Sequence, residues 1–385
     1  MKNFDYIIAG GGAAGLSLAY LLANQPGNQK TILVIDRDEK TKNDRTWCFW
    51  SDQPSPYPQA TFRAWSQIAF QTDGFSKTYD LAPYRYYMIR GLDFYNFIKQ
   101  NLSMSPLVQF HLGEIQQISD GEDTASVISG DQTFSARWVF DSRFIPGQFH
   151  RQPGQYHYLN QHFRGWEIET DSDWFDPLTP VMFDFRTPQN QKMRFIYILP
   201  IDTRRALIEY TLFSEDLLTD PEYDLGLTEY IHNTLGLDRY RIHSVENGVI
   251  PMTDHPFERK LGKRILAIGT RGGLVKPSTG YAFWRIQQDS QAILRSLAKS
   301  GHPFNLPNSP ARYRFFDTIM LQVMKQNGGQ MKEIFTDMFR NNPIQRIFGF
   351  LYETAGWFED LRILGSVPTK PFIQALLRVK VFGKI

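Results

Sequence analysis

Cysteine is nearly absent: Cys48 stands alone among 385 residues, so no intramolecular disulfide can form and the paired-cysteine spacings of structural zinc sites cannot occur. A reducing compartment, the cytoplasm, is expected. An excess of charge of one sign is missing too, since 42 Lys and Arg against 40 Asp and Glu leave a net of +2, too balanced for the field on which nucleic-acid binding depends. No nucleic-acid partner is expected. No apolar run approaches the roughly 18 residues that span a bilayer, and Asp5 and then a glycine cluster interrupt any signal-peptide core. The chain reads as neither secreted nor membrane-spanning. The eight histidines are scattered, with His157 and His162 off the spacing that sets two ligands on one helical face, so no metal site is expected. Gly15-Leu16-Ser17-Leu18-Ala19 lacks the final glycine of a nucleophile elbow. What the chain has in plenty is aromatic rings: 30 Phe, 18 Tyr and 8 Trp, or 15%, are flat apolar surface to bury or to offer to an apolar ligand. At about 150 residues per domain, its length allows two or three domains.

Phe4 to Ala9 form a short apolar strand, Gly10 to Gly15 a glycine-rich turn and Leu16 to Leu22 a helix start, with a second buried strand from Thr31 to Ile35. The chain thus opens on a βαβ unit. From Ser51 the composition shifts: Pro54, Pro56 and Pro58 mark an extended linker, and Phe62 to Phe70 and Tyr79 to Ile89 read as strands of another sheet. Gly91 to Leu102 carries apolar residues at helical spacing, and Val108 to Ile118, Ala125 to Ile128 and Trp138 to Phe140 follow as short strands, a return to the first domain. Tyr156 to about Ile242 is strand-rich again, notably at Val181 to Phe185, Arg194 to Pro200 and Ala206 to Thr211, which suits an antiparallel sheet. Arg264 to Ile268 is a third buried strand ending in a second glycine turn. Beyond Pro307 helices are predicted; Met331, Ile334, Phe335, Met338 and Phe339 make one apolar stripe, stopped by Asn341, Asn342 and Pro343, that belongs against a core.

Gly10, Gly12 and Gly15 satisfy G-x-G-x-x-G after a strand and before a helix. The first permits the tight turn, the second lets a pyrophosphate approach the backbone, and the third lets helix and strand pack closely. Asp36 ends the second strand 21 residues beyond Gly15, where a carboxylate can accept from a ribose hydroxyl pair. Both FAD and NAD use such a unit. A single fingerprint at residue 10, with a late turn at Gly269, Gly272, Gly273 and Gly280, favours FAD as a resident cofactor.

Four further stretches, Asp44–Trp50, Phe183–Gln189, Leu207–Ser214 and Gly269–Phe283, resemble the bacterial lycopene β-cyclase family. The likeness runs through nearly the whole chain, the helical end included. Related flavoprotein hydroxylases carry Gly-Asp where this chain has Gly269-Thr270, a difference that agrees with the cyclases. The resemblance and the pass along the chain imply an α/β (α+β) protein: a Rossmann-like, discontinuous FAD-binding domain at 1–55, 90–150 and 245–305; a substrate domain with an antiparallel sheet at 56–89 and 151–244; and a helical C-terminal region at 306–385. The family implies closure of the linear ends of lycopene, or a related linear carotenoid, into β-rings. FAD would be active in its reduced form, with NAD(P)H or another donor as reductant and no net electrons passed. The cofactor residues are then Gly10, Gly12, Gly15, Asp36, Arg45, Arg90, Gly269, Gly273 and Gly280.

Such a closure needs a proton delivered to a terminal alkene, attack of a second alkene on the resulting tertiary cation, and loss of a neighbouring proton. Glu209 stands where the family's catalytic glutamate lies, among Leu207, Ile208, Leu212 and Phe213, whose burial would raise its pKa and keep it protonated near neutral pH. Without the family it reads as a strand-edge glutamate facing water or pairing with Arg204 or Arg205. Asp184, on a similar apolar strand, is the second catalytic candidate, or else the partner of the arginine that follows it. Reduced flavin carries electron density able to hold the cation. Trp47, Phe49, Trp50 and Tyr281 are candidates for cation–π attraction of about 0.5 to 2 kcal/mol each, or for core packing. Arg90, just before a helix, meets a cofactor phosphate or is an ordinary surface arginine.

Pro371 to Ile385 mixes Phe372, Leu376, Leu377, Val381 and Phe382 with Arg378, Lys380 and Lys384, so a peripheral seat on a membrane lipid surface and a last helix docked on the core are both open. The expected location is cytoplasmic, at the membrane periphery. An FAD-dependent monooxygenase or isoprenoid reductase acting on an apolar substrate is the alternative enzyme. A carrier of apolar polyenes is the alternative without catalysis.

Overall fold

The structure, a computed structural model, describes residues 2–145 and 155–379. The chain opens with β1 (Lys2–Ala9), α1 (Ala13–Ala23) and β2 (Ile32–Asp36), then runs through β3 (Thr46–Ser51), β4 (Thr61–Trp65), β5 (Gln67–Thr72), β6 (Phe75–Asp80) and β7 (Arg85–Arg90). It continues with α2 (Gly91–Ser103), β8 (Val108–Leu112), β9 (Ile115–Ser119), β10 (Ala125–Ser129) and β11 (Gln132–Asp141). β12 (Tyr158–Thr170), β13 (Val181–Asp184), β14 (Met193–Pro200), β15 (Arg205–Ser214), α3 (Asp220–Glu229), β16 (Tyr240–Thr253) and β17 (Ile265–Ala267) follow. The helical end comprises α4 (Phe283–Ser300), α5 (Ala311–Asn327), α6 (Met331–Asn341), α7 (Ile344–Leu351), α8 (Trp357–Gly365) and α9 (Thr369–Arg378).

One sheet has the order β8-β2-β1-β11-β10-β9, with β17 beside the end of β11. β8, β2, β1, β11 and β17 are parallel, the third-second-first-fourth order of a Rossmann half. Helices α1, α2 and α4 cover one face, over Ile8, Val34 and Phe140, while Val127 and Phe134 curl over Ile7, Leu33 and Ile35 on the other. Burial on both faces explains why β1 and β2 are apolar runs without alternation. A second sheet, β16-β12-β15-β14-β13-β5-β6, is antiparallel except where β13 meets β5. A small sheet, β3-β7-β4, lies beside both. The Rossmann-like sheet, antiparallel sheet and helical end agree with the expected fold class.

Several expected boundaries move. Phe62 to Phe70 splits at Ser66, β4 joining the small sheet and β5 the second one. The boundary at 244/245 falls inside β16, which pairs with β12 in one ladder from Tyr158↔Thr253 to Thr170↔Tyr240; residues through Thr253 therefore belong to the second sheet. β3, expected with the nucleotide sheet, pairs with β7, a partner beyond three intervening strands that local composition does not announce. The boundary at 150/151 lies outside the described residues. The stripe Met331, Ile334, Phe335, Met338 and Phe339 is buried throughout, and Phe339 stacks on Phe70 of the second sheet at 4.2 Å. Among the described residues no helix is long and apolar enough to cross a membrane.

Candidate active site

A strand sends alternate side chains to opposite faces, and β15 uses this to separate two environments. Ile208, Tyr210 and Leu212 pack with Trp166 and Tyr223 on the α3 side. On the other face the ladders align rows across β14, β15, β12 and β16: Tyr197, Glu209, Gly165, Glu246; then Phe195, Thr211, Phe163, Gly248; then Met193, Phe213, Gln161, Ile250. Gly165 is the gap that lets the two glutamates of the first row meet. A Cβ there would lie 3.0 Å from Leu207, 3.3 Å from Glu246 Cγ and 3.6 Å from Glu209 Cβ.

Glu209 is only 8% exposed. Its Oε1 accepts from the Thr211 hydroxyl at 2.8 Å, and Oε2 of Glu246 accepts from the Thr46 hydroxyl at 2.8 Å. Glu246 is partly buried as a residue, but its Oε1 is shut off from water and meets no donor among the described residues. Burial raises the Glu209 pKa first, and the neighbouring charge of Glu246 raises it further against the opposing Thr211 bond. Glu246 is also raised, burial outweighing the Thr46 bond and the Arg45 charge. Two carboxyls this close and this secluded from water disfavour the doubly ionised state, so their titrations are linked. Arg204 and Arg205 take no part, being paired with Glu169 and Glu167.

Aromatic side chains close over this row. The Tyr197 hydroxyl lies 3.2 Å from that of Tyr281, and Tyr281 meets Trp50 edge-on at 4.9 Å. Trp50 is itself stacked on Tyr352 at 4.1 Å and Phe348 at 4.4 Å. Alternation along β3 sends Cys48 and Trp50 toward this cluster and Trp47 and Phe49 away, onto Phe283 at 5.3 and 5.1 Å. Of the four aromatic candidates, Tyr281 reaches Glu209 through Tyr197 and Trp50 stands behind Tyr281, whereas Trp47 and Phe49 pack in the core of the first sheet.

Asp184 is not brought to Glu209. Its partner across the ladder is Ile196, on the α3 face, where its carboxylate takes Arg186 Nη2 at 2.6 Å and the Tyr230 hydroxyl. Those two bonds go to Oδ2, and Oδ1 accepts from the Arg186 backbone amide at 2.9 Å and its Nε at 3.0 Å, the pairing with the following arginine that the sequence left open. Arg90 is likewise satisfied within the protein, with its Nε donating to Asp93 at 2.7 Å and its guanidinium 3.9 Å from the centre of the Phe62 ring.

The residues assigned to the dinucleotide fall into two turns. Gly10 has φ +107°, and a Cβ on Gly15 would sit 1.9 Å from the Gly10 carbonyl oxygen, whereas one on Gly12 would meet nothing within 4 Å. Gly12 thus opens the start of α1, whose first turn carries no acidic side chain, and an anion is favoured there. Asp36 ends β2 and accepts from the Gly11 amide. Gly269, at φ +61°, faces Ala14 of α1, and Gly280, at φ +74°, faces Gln161 of the third row; Gly273, at φ +75°, lies against Phe257. The late turn therefore bridges the start of α1 and the glutamate-bearing face of the second sheet. Gln161 stands four residues before Gly165 on β12, about 13 Å at a strand's rise. Arg45 lies 3.9 Å from Asp44 and beside Glu246. The open glycine turn, the acid at the end of β2 and the bridging late turn fit an extended dinucleotide.

A profile described as lycopene cyclase protein matches residues 5–377. The chain belongs to the lycopene cyclase family. Within that family it is 24% identical over 287 residues to a lycopene beta-cyclase of Pseudescherichia vulneris, covering 72% of this chain and 70% of that protein. It is 23% identical over 317 residues to a capsanthin/capsorubin synthase of Citrus sinensis, where 77% of this chain spans 60% of that protein. Among solved structures it resembles a flavoprotein/dehydrogenase from Cytophaga hutchinsonii, with a TM-score of 0.61, 12% identity and 98% of each chain covered. A geranylgeranyl bacteriochlorophyll reductase-like protein from Thermoplasma acidophilum gives a TM-score of 0.58 at 11% identity, covering 98% of this chain and 96% of that one. At such identities the likeness is one of fold. In this member of the lycopene cyclase family, sequence reasoning singled out Glu209 but not Glu246, Gly165 or Tyr197, which only strand register sets in its row.

Proposed function

We propose that this chain closes the linear ends of lycopene, or of a related linear carotenoid, into β-rings by acid-initiated and redox-neutral cyclisation, with FAD as resident cofactor. The observation that carries the reading is a pair of carboxyls facing each other across Gly165 beside aromatic rings, one of them, Glu209, on the strand whose sequence resembles the family's acid motif. Thr211 occupies Glu209 Oε1, which leaves the acidic proton on Oε2. Burial keeps that proton in place at neutral pH until an alkene presents itself. Tyr197 and Tyr281 offer cation–π attraction of about 0.5 to 2 kcal/mol each to a cation formed beside Glu209, with Trp50 packed behind Tyr281. Gly10, Gly12, Gly15, Asp36, Gly269 and Gly280 would hold FAD, with Arg45 at its inner end. Bound and reduced by NAD(P)H or another donor, FAD would supply negative charge without passing a hydride to the product.

A linear carotenoid resides in lipid, and the helical end supplies an apolar outer surface. α9 docks on the core through Pro371 and Ala375 and leaves Ile373, Leu376 and Leu377 exposed, and α8 exposes Trp357, Phe358 and Leu361. Lys370 and Arg378 are exposed on α9 as well. Both alternatives for this helix are thereby compatible: one side packs on the core, and the other suits the interface of an anionic membrane. Residues 380–385, including Lys380, Val381, Phe382 and Lys384, lie outside the described residues. The test of the reaction is lycopene in liposomes, incubated anaerobically with reduced FAD in deuterated water. The expected product is an isomer that has gained deuterium, formed without stoichiometric loss of reductant. A product heavier by one oxygen or by two hydrogens would replace the reading by a monooxygenase or a reductase.

A further inference from the structure

We infer that Glu246 is the base that removes the ring proton, and that it returns this proton to Glu209 across Gly165, so that the two carboxyls restore each other at every closure. The inference rests on the cyclisation reading above and adds a residue and a step to it.

The geometry supplies the argument. Glu209 and Glu246 occupy one row of the sheet, each directly opposite Gly165, and the missing side chain leaves the space in which they meet. Each acid has one oxygen occupied by a threonine hydroxyl, Thr211 for Glu209 and Thr46 for Glu246. The remaining Glu246 oxygen is buried and meets no donor. Leaving a buried acceptor unmatched is costly, and a site that delivers a proton to it in every cycle gives that oxygen a use. Two carboxyls that both bound a donor at rest would have no vacancy to receive the ring proton.

The step balances. The Glu209 O–H bond breaks as a C–H bond forms at the terminal alkene, leaving a carboxylate and a tertiary cation. The second alkene attacks, forming the ring C–C bond and moving the positive charge to a ring carbon. A C–H bond next to that carbon breaks; its electron pair becomes the ring double bond, and the proton passes to Glu246. Transfer from Glu246 to Glu209 then restores the starting state, and substrate and product remain isomers.

The groups facing the pair do not compete for the role. Burial raises the Cys48 thiol and the Tyr197 and Tyr281 phenols, so they stay protonated. Around Glu246, Asp44 and Glu167 oppose the charge of Arg45. One proton on two carboxyls requires an ionised base and a protonated acid together, which makes the rate bell-shaped in pH.

The experiment is the pH dependence of the initial rate of lycopene cyclisation in liposomes with reduced FAD, for wild type, Glu246→Gln and Glu246→Asp, with bound FAD quantified in each. Wild type should lose rate at both ends of the range. Glu246→Gln should retain FAD, fall by roughly 100-fold or more at the optimum, lose the acid limb and shift the alkaline limb to lower pH, since a negative neighbour no longer raises Glu209. Its product should include rings with the double bond elsewhere, because the cation sheds whichever neighbouring proton water reaches. Glu246→Asp should recover the acid limb. A wild-type rate without an acid limb overturns the proposal and needs no variant; so does an acid limb that persists in FAD-loaded Glu246→Gln. If wild type forms no isomer of lycopene, the cyclisation reading itself falls, a different result from cyclisation without an acid limb.

Discussion

Gly12 can be probed without disturbing the protein around it. Its φ is −83°, open to any residue, and a Cβ there meets nothing within 4 Å. Gly12→Val should therefore leave the unfolding midpoint of the FAD-free protein unchanged while abolishing FAD binding, read from flavin absorbance after desalting. Retained FAD would reduce the glycine run to a turn. Glu209→Gln keeps size and hydrogen bonding but has no acidic proton, so it should fold, hold FAD and lose cyclisation by roughly 100 to 10,000-fold. The same variant reports on stability. Burial raises Glu209 in the folded state, so below about pH 4.3 folded and unfolded chains are both protonated there. As pH climbs, the unfolded chain ionises first, and native stability falls until the folded pKa is passed. Each unit of elevation is worth about 1.4 kcal/mol. Thermal midpoints from pH 5 to 9 should show Glu209→Gln gaining on wild type toward the alkaline end, and a constant gap would mean that the acid is solvated.

At the scale of elements, alternation decided what could be read in advance. The βαβ opening, the strands from Val181 to Thr211 and the α6 stripe were legible because local period and glycine placement specify them. Glu209 was legible through a motif. Glu246 was not, since His243, Ser244, Val245 and Asn247 around it are exposed and only pairing to β12 turns it inward. Asp184 failed for a related reason: β13 and β14 shift register between Val181 and Asp184, which carries its carboxylate to the far side of the sheet. Among the helices, α8 and α9 offer a test of the proposed membrane contact. Replacing Leu377 and Phe358, 81% and 83% exposed, by Glu should leave the fold intact and lower co-flotation with anionic liposomes. Equal flotation would remove this face from consideration.

At the scale of the whole molecule, the late glycine turn is fastened to the helical end by a buried ion cluster. Lys276 Nζ lies 2.8 Å from Asp317 of α5 and 2.9 Å from Glu353, which Arg285 of α4 meets at 3.0 Å. Lys276→Met would strand two buried carboxylates with one remaining cation. A loss of about 3 to 5 kcal/mol is expected, measured by denaturant unfolding; a loss below about 1 kcal/mol would mean that the cluster does not bind the parts together. The seclusion of the carboxyl pair has a further consequence. An acid that is 8% exposed, beside a base oxygen without access to water, trades hydrogen with the bulk slowly, so the site keeps an isotopic memory. In deuterated water, hydrogen taken from one ring would be handed on to the next, and the mass distribution of the doubly closed product should show less than one deuterium per ring.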